Sequence, residues 1–228
     1  MALLLFDIDG TLLNTCGSGR EAANMIFEKY FEVKNAFNSV PLMGRTDKFI
    51  WKEVCIINKI PLKEYEKRKN IILREYYKQL KKVLSSKKEA FIYPGIKKIL
   101  METRTKHCLG LLTGNFKKSG MIKIAHFGLD KYFPVGAFAD DNENRNVIAH
   151  IAIKRAERYY RQKFKPQEIY IIGDTPFDIE CAKTTGAISV AVATGGFKYE
   201  ELKKYLPNYL FKSFANPELF LNIISCPH

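Results

Sequence analysis

The stretch LLLFDIDGT, residues 3–11, decides the fold. It opens on a continuous apolar run, which is typical of a strand buried on both faces of a parallel sheet. Side chains alternate along an extended chain, so Asp7 and Asp9 are expected to point the same way. The stretch therefore predicts a strand that delivers two carboxylates to one edge of a sheet. Taken alone, such a pair would more often be a solvated strand end before a glycine turn.

Similar apolar runs recur along the rest of the chain, separated by segments whose apolar residues have helical spacing. They predict strands over residues 108–112, 135–139, 169–172 and 188–193. Strands that alternate with helices form a parallel sheet with right-handed crossovers, and their carboxyl ends share one edge. The predicted fold class is therefore α/β with a parallel sheet, and that edge is the expected place for a functional site.

Residues 15–87 show helical spacing and no strand alternation. A Gly-Arg-Thr-Asp turn interrupts this segment and places Asp47 to cap a helix over residues 48–59. We therefore expect a core domain made of residues 1–14 and 88–228, with an inserted helical cap domain between the two parts. Because the insertion directly follows the first carboxylates, the cap is expected to close over them and to exclude water.

A second acidic pair follows the strand predicted over residues 169–172. Asp174 comes just after that strand, and Asp178 lies on the first turn of a helix that begins at Pro176. Four carboxylates at one sheet edge repel one another strongly unless a cation is present, and oxygen ligands of this kind suit Mg²⁺. The candidate metal ligands are Asp7, Asp9, Asp174 and Asp178.

The composition limits the classes of partner and the compartment. The formal net charge is +13, but the basic residues are spread through helical segments without a nucleic-acid-binding motif. We therefore expect a small phosphorylated metabolite as partner, and no nucleic acid. No run approaches the roughly 18 apolar residues that span a bilayer, so we expect no membrane association. Unpaired cysteine spacing favours the reducing cytoplasm, and the sequence leaves monomer and homodimer open. The cysteines are Cys16, Cys55, Cys108, Cys181 and Cys226.

Three stretches in the same order and spacing carry a resemblance to a known family. LLLFDIDGTLL, LLTGN and IIGDTPFDIECAK resemble motifs one, two and four of the haloacid dehalogenase superfamily. The helical insertion resembles that superfamily's first type of cap, and the whole pattern is most similar to phosphoglycolate-phosphatase-like hydrolases. The resemblance implies a Rossmann-like core and a Mg²⁺-dependent phosphatase that hydrolyses a small organic phosphomonoester through an aspartyl-phosphate.

The resemblance also implies a role for each acidic residue. Asp7 would be the nucleophile that attacks phosphorus. Asp9 would protonate the leaving oxygen and later activate the hydrolytic water. Asp7, the backbone carbonyl of Asp9, and Asp174 would hold Mg²⁺, and Asp178 would support them.

The resemblance further implies a phosphate-binding loop after the second strand. Thr113 resembles the hydroxyl that binds the transferring phosphoryl group, assisted by the backbone amides of Gly114 and Asn115. Taken alone, Thr-Gly-Asn would be only a turn. Arg45 in the cap is a candidate to reach a substrate carboxylate or a distal phosphate, and a solvated arginine is an equally good interpretation.

The cation of the third motif departs from the family pattern, which is usually lysine followed by proline. Lys165-Pro166 lies too close to the strand over residues 169–172 to serve. Arg145, near the start of a helix predicted over residues 146–160, could neutralise the nucleophile and the phosphate. Lys154 is the alternative cation, and a surface position for Arg145 is the competing interpretation.

Two other functions fit the same carboxylates. A phosphomutase of sugar phosphates would use Asp7 and Asp9 but return the phosphoryl group to the sugar. A phosphoryl-accepting signalling domain also gathers acidic residues and Mg²⁺ at a parallel sheet edge. The acid at Asp9 and the cap argue against the signalling domain, whereas the choice between phosphatase and phosphomutase stays open.

Overall fold

The computed structural model describes residues 1–225, so Cys226 lies outside the described part of the chain. The strands found there are β1 (Leu3–Phe6), β2 (Leu13–Asn14), β3 (Phe91–Ile92), β4 (Cys108–Leu112), β5 (Gly136–Ala137), β6 (Ile169–Gly173), β7 (Ile188–Val192) and β8 (Tyr209–Phe211). The α-helices are α1 (Ser18–Phe31), α2 (Asp47–Ile57), α3 (Leu62–Ser86), α4 (Ile96–Thr103), α5 (Lys117–His126), α6 (Arg145–Tyr160), α7 (Pro176–Thr185), α8 (Tyr199–Lys203) and α9 (Pro217–Ser225). None of these helices is long and apolar enough to cross a bilayer.

The main sheet is parallel throughout and has the order β5-β4-β1-β6-β7-β8. Strand β1 lies in its interior, with Leu3 paired to Cys108 on one side and to Ile169 on the other. All residues of β1 are buried, as expected for a strand that is covered on both faces. The strand predicted over residues 135–139 is shorter in the structure, and β8 was not predicted.

Helices cover both faces of this sheet. Leu4 and Phe6 of β1 pack in a cluster that includes buried residues of α4, α5 and α9. Leu3 and Leu5, on the opposite face, pack with buried residues of α6 and α7. Each fully buried leucine or phenylalanine contributes about 1.5–3 kcal/mol to folding. Strand β1 therefore packs against the helices on both faces of the sheet, and this packing holds Asp7, the next residue, at the carboxyl edge of the sheet.

Helices α1, α2 and α3 form a separate hydrophobic cluster around Trp51. The Trp51 ring makes edge contacts with Phe27 and Phe37, both with ring centroids 5.4 Å away, and with Tyr76 at 5.0 Å. Strands β2 and β3, which flank this segment in the chain, pair with each other. The predicted α/β class with a helical insertion is confirmed, and the domain boundaries at residues 15 and 87 stay a prediction.

The prediction that Asp47 caps the second helix is wrong. The capping residue is Thr46, whose backbone is extended and whose hydroxyl accepts a hydrogen bond from the Phe49 amide at 3.3 Å. Asp47 is already the first helical residue, so its carboxylate is free to bind elsewhere. It accepts a hydrogen bond from the Phe116 amide, at the start of α5, at 2.7 Å.

Candidate active site

Three buried carboxylates meet at the carboxyl edge of the sheet. Asp7 follows β1, Asp174 follows β6, and Asp178 lies on the first turn of α7. One oxygen from each carboxylate lies within 4.8 Å of the other two. Asp178 is held there by the Thr175 amide and hydroxyl, which donate hydrogen bonds to it at 3.1 and 2.7 Å. The fold therefore brings distant parts of the sequence to one point, as predicted for these three residues.

The Asp9 carboxylate is not part of this group of three, although Asp9 borders the same cavity as Asp7 and Asp174, and its predicted part in a metal site stays a prediction. Strand β1 ends at Phe6, so strict strand alternation does not govern the two aspartates. The chain instead turns after Asp7, and the Leu12 amide donates to the Ile8 carbonyl at 2.9 Å. Asp9 thus lies apart from the three carboxylates, where it can act on a different atom of a substrate.

The electrostatics of the buried group fit a divalent cation. Burial raises the pKa of Asp7 to about 6; Arg145 opposes this shift, and Asp178 adds to it. The pKa of Asp174 is raised well above its ordinary value, mainly by burial and then by Asp7. Asp7 Oδ1 is buried and has no hydrogen-bond partner within residues 1–225. Oxygen donors with excess negative charge and an unsatisfied oxygen are what a hard cation requires.

Two glycines let the chain approach Asp174 closely. A Cβ atom on Gly10 would lie 2.3 Å from Asp174 Oδ2, and one on Gly195 would lie 1.7 Å from the same oxygen. Gly10 also has a φ of +81°, a conformation that side chains disfavour. The Thr11 hydroxyl donates a hydrogen bond to Asp174 Oδ1 at 3.1 Å. The backbone therefore forms a tight cradle around this carboxylate, in which only residues without side chains fit.

Arg145 is the cation beside the nucleophile candidate. Its Nη2 atom lies 3.2 Å from Asp7 Oδ2 and 2.5 Å from Asp178 Oδ1, and the side chain is buried. The surface interpretation of Arg145 is therefore wrong. Lys154, the alternative cation, is exposed on the same helix. The structure places Arg145 where the third-motif cation was predicted, and its role towards phosphate stays a prediction.

The loop after β4 joins the phosphate-binding candidates to Asp9. Thr113 is fully buried, and its hydroxyl accepts hydrogen bonds from the Asn115 amide at 3.3 Å and from the Asn115 side chain at 2.8 Å. The Asn115 side chain also donates to Asp9 Oδ2 at 2.8 Å. Asn115 thus faces Asp9 with its side chain, whereas its backbone amide, predicted to bind phosphate, is bonded to Thr113.

Lys123 on α5 is a site residue that the sequence interpretation missed. Its ammonium donates hydrogen bonds to Asp9 Oδ2 and to Asn115 Oδ1, both at 2.6 Å. The residue is only 6% exposed. Helical spacing offered a signal, because Ser119 and Gly120 lie one turn earlier on the same buried face. A lysine on the buried face of a helix requires a charged partner, which the sequence alone does not identify.

The helical segment contacts the phosphate-binding loop through its Gly-Arg-Thr-Asp turn. The Asp47 amide donates to the Gly114 carbonyl at 2.7 Å. A Cβ atom on Gly114 would lie 2.3 Å from the Arg45 carbonyl, so only glycine allows this approach. Arg45 itself pairs with Glu53 at 2.7 Å and borders the cavity described below. Its predicted contact with substrate stays a prediction.

Replacing Asp47 by alanine is expected to weaken this contact. Hydrogen bonds to a charged group are worth about 1.5–3 kcal/mol, so closure of the helical segment should become about 10- to 100-fold less favourable. The measurement is amide hydrogen exchange at Phe116, whose N–H bonds to Asp47. Asp47→Asn keeps an acceptor oxygen and is the matched control. Equal protection of Phe116 in the alanine variant and the wild type would contradict the assignment.

A cavity of about 460 Å³ lies between the sheet edge and the helical segment. The core contributes Asp7, Asp9 and Arg145 to its walls, and the helical segment contributes Trp51 and Tyr76. The cavity therefore combines charged groups at its base with aromatic rings above them. Such a space can hold a small ligand whose anionic end faces the cation and the carboxylates.

A model of the haloacid dehalogenase-like hydrolases matches residues 4–192, from the second residue of β1 through the helical segment to the end of β7. The chain belongs to the haloacid dehalogenase-like hydrolase family. The predicted relationship to this superfamily is confirmed, and so is the prediction that the chain is a hydrolase. The matched range contains all three buried carboxylates as well as Asp9.

Individual relatives cover nearly the whole chain. One from Caldanaerobacter subterraneus, which bears the name of a pyrophosphatase, is 27% identical over 92% of this chain and 89% of its own length. A phosphoglycolate phosphatase of Synechococcus elongatus is 22% identical over 93% of both chains. A β-phosphoglucomutase structure from Clostridium difficile has a TM-score of 0.75 and 20% identity, and covers 98% of this chain and 96% of its own. The solved structure shares the fold of this chain, and all three proteins match it over nearly their full length.

Proposed function

We propose that the chain is a Mg²⁺-dependent phosphatase that hydrolyses a small organic phosphomonoester through a phosphorylated Asp7. The observation that carries the proposal is the arrangement of two separate carboxylates in one cavity. Asp7 lies in the buried acidic group, 3.2 Å from the guanidinium of Arg145. Asp9 lies outside that group, bonded to Lys123. One carboxylate is thus available as a nucleophile and the other as an acid and base.

The proposed reaction has two steps. The Asp7 carboxylate attacks phosphorus, the bond from phosphorus to the leaving oxygen breaks, and Asp9 gives that oxygen a proton. Asp9 then takes a proton from a water molecule, which attacks phosphorus and releases Asp7 and inorganic phosphate. Arg145 and the Thr113 hydroxyl stabilise the negative charge on the phosphoryl oxygens.

The residues that would hold Mg²⁺ are Asp7, the Asp9 carbonyl, Asp174 and Asp178, with Asp178 in a supporting position. When bound, the ion would offset the negative charge of the carboxylates and polarise the phosphoryl oxygens. The unsatisfied Asp7 Oδ1 and the close cradle around Asp174 support this choice of site.

The direct test is release of inorganic phosphate from a panel of phosphorylated metabolites, with Mg²⁺ or with a chelator in its place. We expect release that depends on the metal. Sugar phosphates in the panel are also analysed for isomers, because a phosphomutase would form an isomer instead of free phosphate. Isomer formation without phosphate release would favour the mutase, and no reaction with any member of the panel would contradict the proposed function.

Mg²⁺ is expected to raise the melting temperature more at pH 7.5 than at pH 5. In the folded metal-free protein the pKa of Asp7 is raised to about 6 and that of Asp174 is raised well above its ordinary value. Both carboxyl groups ionise more easily in the unfolded chain, so the stability of the fold falls as the pH rises through 6. Mg²⁺ binds the ionised forms and reverses this loss. At a hundredfold excess over its Kd, a ligand adds about 2.7 kcal/mol, which corresponds to about 5–10 °C. An equal shift at both pH values would contradict the site, and Asp174→Asn should abolish the pH 7.5 shift.

We also propose a cytoplasmic protein that acts on a small phosphorylated metabolite, without nucleic acid or membrane as a partner. Free thiols at Cys55, Cys108 and Cys181, all buried, support a reducing compartment. Light scattering would distinguish a monomer from a homodimer, and a filter-binding assay at low salt would detect any association with nucleic acid.

A further inference from the structure

Lys123 brings a buried positive charge to Asp9 from a helix outside the acidic group. We propose that Lys123 is a positioning residue: with Asn115 it holds Asp9 Oδ2, so that Asp9 Oδ1 is the oxygen that transfers the proton to the leaving group. The inference rests on the proposed phosphatase function. It adds a residue to that function and assigns its proton transfer to one atom.

The contacts form a closed triangle around one carboxylate oxygen. The Lys123 ammonium donates to Asp9 Oδ2 and to Asn115 Oδ1, both at 2.6 Å. The Asn115 side-chain amide donates to the same Asp9 Oδ2 at 2.8 Å. Each group therefore fixes the other two, and Oδ2 accepts two short hydrogen bonds, one of them from a charged donor.

The other oxygen of Asp9 is much less engaged. The contact to Oδ1 within residues 1–225 comes from the Thr15 hydroxyl at 3.5 Å, beyond the usual length of an O–H···O hydrogen bond. The Asp9 side chain is 39% exposed, whereas that of Lys123 is 8% exposed. Asp9 also borders the cavity. The geometry thus leaves Oδ1 as the oxygen that can exchange a proton with a ligand.

The surroundings of Lys123 explain why a lysine occupies this position. The ammonium lies close to α1 and to Tyr76, because a Cβ atom on Gly19 would be in ordinary van der Waals contact with it at 3.7 Å and with the Tyr76 hydroxyl at 3.6 Å. Asp47 also interacts electrostatically with Lys123. A buried ammonium is unfavourable without partners of this kind. Since Lys123 forms its ion pair with Asp9, its role is to position that carboxylate and not to pack α5 against the core.

The role predicts a dependence on the leaving group. An alkyl phosphate releases a basic alkoxide and needs the proton from Asp9 as its bond to phosphorus breaks. An aryl ester such as p-nitrophenyl phosphate releases a stable anion and needs little protonation. A misplaced Asp9 should therefore slow the first step, phosphorylation of Asp7, far more for alkyl esters than for aryl esters. Hydrolysis of phosphorylated Asp7 is the same for both esters and does not enter kcat/KM, which covers the steps up to release of the alcohol. General damage to the site should lower kcat/KM equally for both esters.

The experiment compares Lys123→Met with wild type on phosphoglycolate and on p-nitrophenyl phosphate. We expect kcat/KM for phosphoglycolate to fall about 10²-fold, the size of a general-acid contribution, with a much smaller change in kcat/KM for the aryl ester. Lys118→Met, which removes an exposed lysine from the same helix, is the matched control. Equal losses on both esters would overturn the proposal.

Two further measurements protect the test against misfolding. In an Asp9→Asn background, Lys123→Met should cause almost no further loss on phosphoglycolate, because the two residues act as a unit. Lys123→Ala should regain part of its phosphoglycolate rate when ethylammonium is added, and failure of both results would overturn the assignment. If wild type hydrolyses neither ester nor any other phosphomonoester, the proposed function itself fails. If wild type hydrolyses the esters but Lys123→Met slows both to the same extent, only the proposed role of Lys123 fails.

Discussion

Asp7→Asn is expected to lower kcat by at least about 10³-fold while the protein stays folded. The amide keeps the shape of the carboxylate but is a poor nucleophile and contributes no charge to a bound cation. Arg145 still has Asp178 at 2.5 Å as a partner, so the variant leaves no buried cation unpaired. Activity should therefore fall without the collapse that an unpaired charge would cause.

The same substitution should stabilise the metal-free protein at neutral pH. Burial raises the pKa of Asp7 to about 6, so ionising this group at pH 7.5 costs folding free energy that an amide does not cost. We expect a higher melting temperature than wild type at pH 7.5 in chelator, and a smaller difference at pH 5. Asp130→Asn, at an exposed position, is the matched control. Near wild-type turnover by Asp7→Asn would refute the proposed chemistry.

The parts of the fold that follow from local sequence patterns were predictable. β1 and β4 are uninterrupted apolar runs, and α7 begins at the proline that marks it. Parallel strands bring their carboxyl ends together, so the order of strands and helices alone places Asp7 and Asp174 at one edge. Their proximity depends only on topology, which the alternation of strands and helices determines.

The remaining site residues depend on contacts that no local pattern encodes. Lys123 is a charged residue on a helix, and its sequence position does not indicate that its partner is Asp9. Arg145 and Lys154 are on the same helix, and only the rotation of that helix against the sheet buries one and exposes the other. Asp47 matched the sequence pattern of a helix cap, but its carboxylate bonds to the Phe116 amide, which lies in a distant part of the chain. Tertiary contacts therefore supply the cation, the partner of the acid and the contact between helical segment and core.

Arg145→Met is expected to be the most destabilising single change in the site. It removes the guanidinium that lies 2.5 Å from Asp178 and 3.2 Å from Asp7, so these two buried carboxylates lose their positively charged partner. Loss of one partner from a buried pair typically costs about 3–5 kcal/mol, which corresponds to about 6–20 °C in melting temperature. Hydrolysis should also fall sharply, since a cation beside the transferring phosphoryl group is lost.

The pH dependence separates this electrostatic loss from simple loss of packing. Arg145 lowers the pKa of Asp7, so its removal raises that pKa further, and the variant should be weakest above pH 6 in chelator and partly recover at pH 5. Arg145→Lys keeps the charge but not the fork that reaches two carboxylates, so it should retain more stability than activity. Lys154→Met, an exposed change on the same helix, should alter neither. A stability deficit in Arg145→Met that is equal at pH 5 and pH 7.5 would mean that the guanidinium acts through its packing, and the acidic group would then need another source of charge balance.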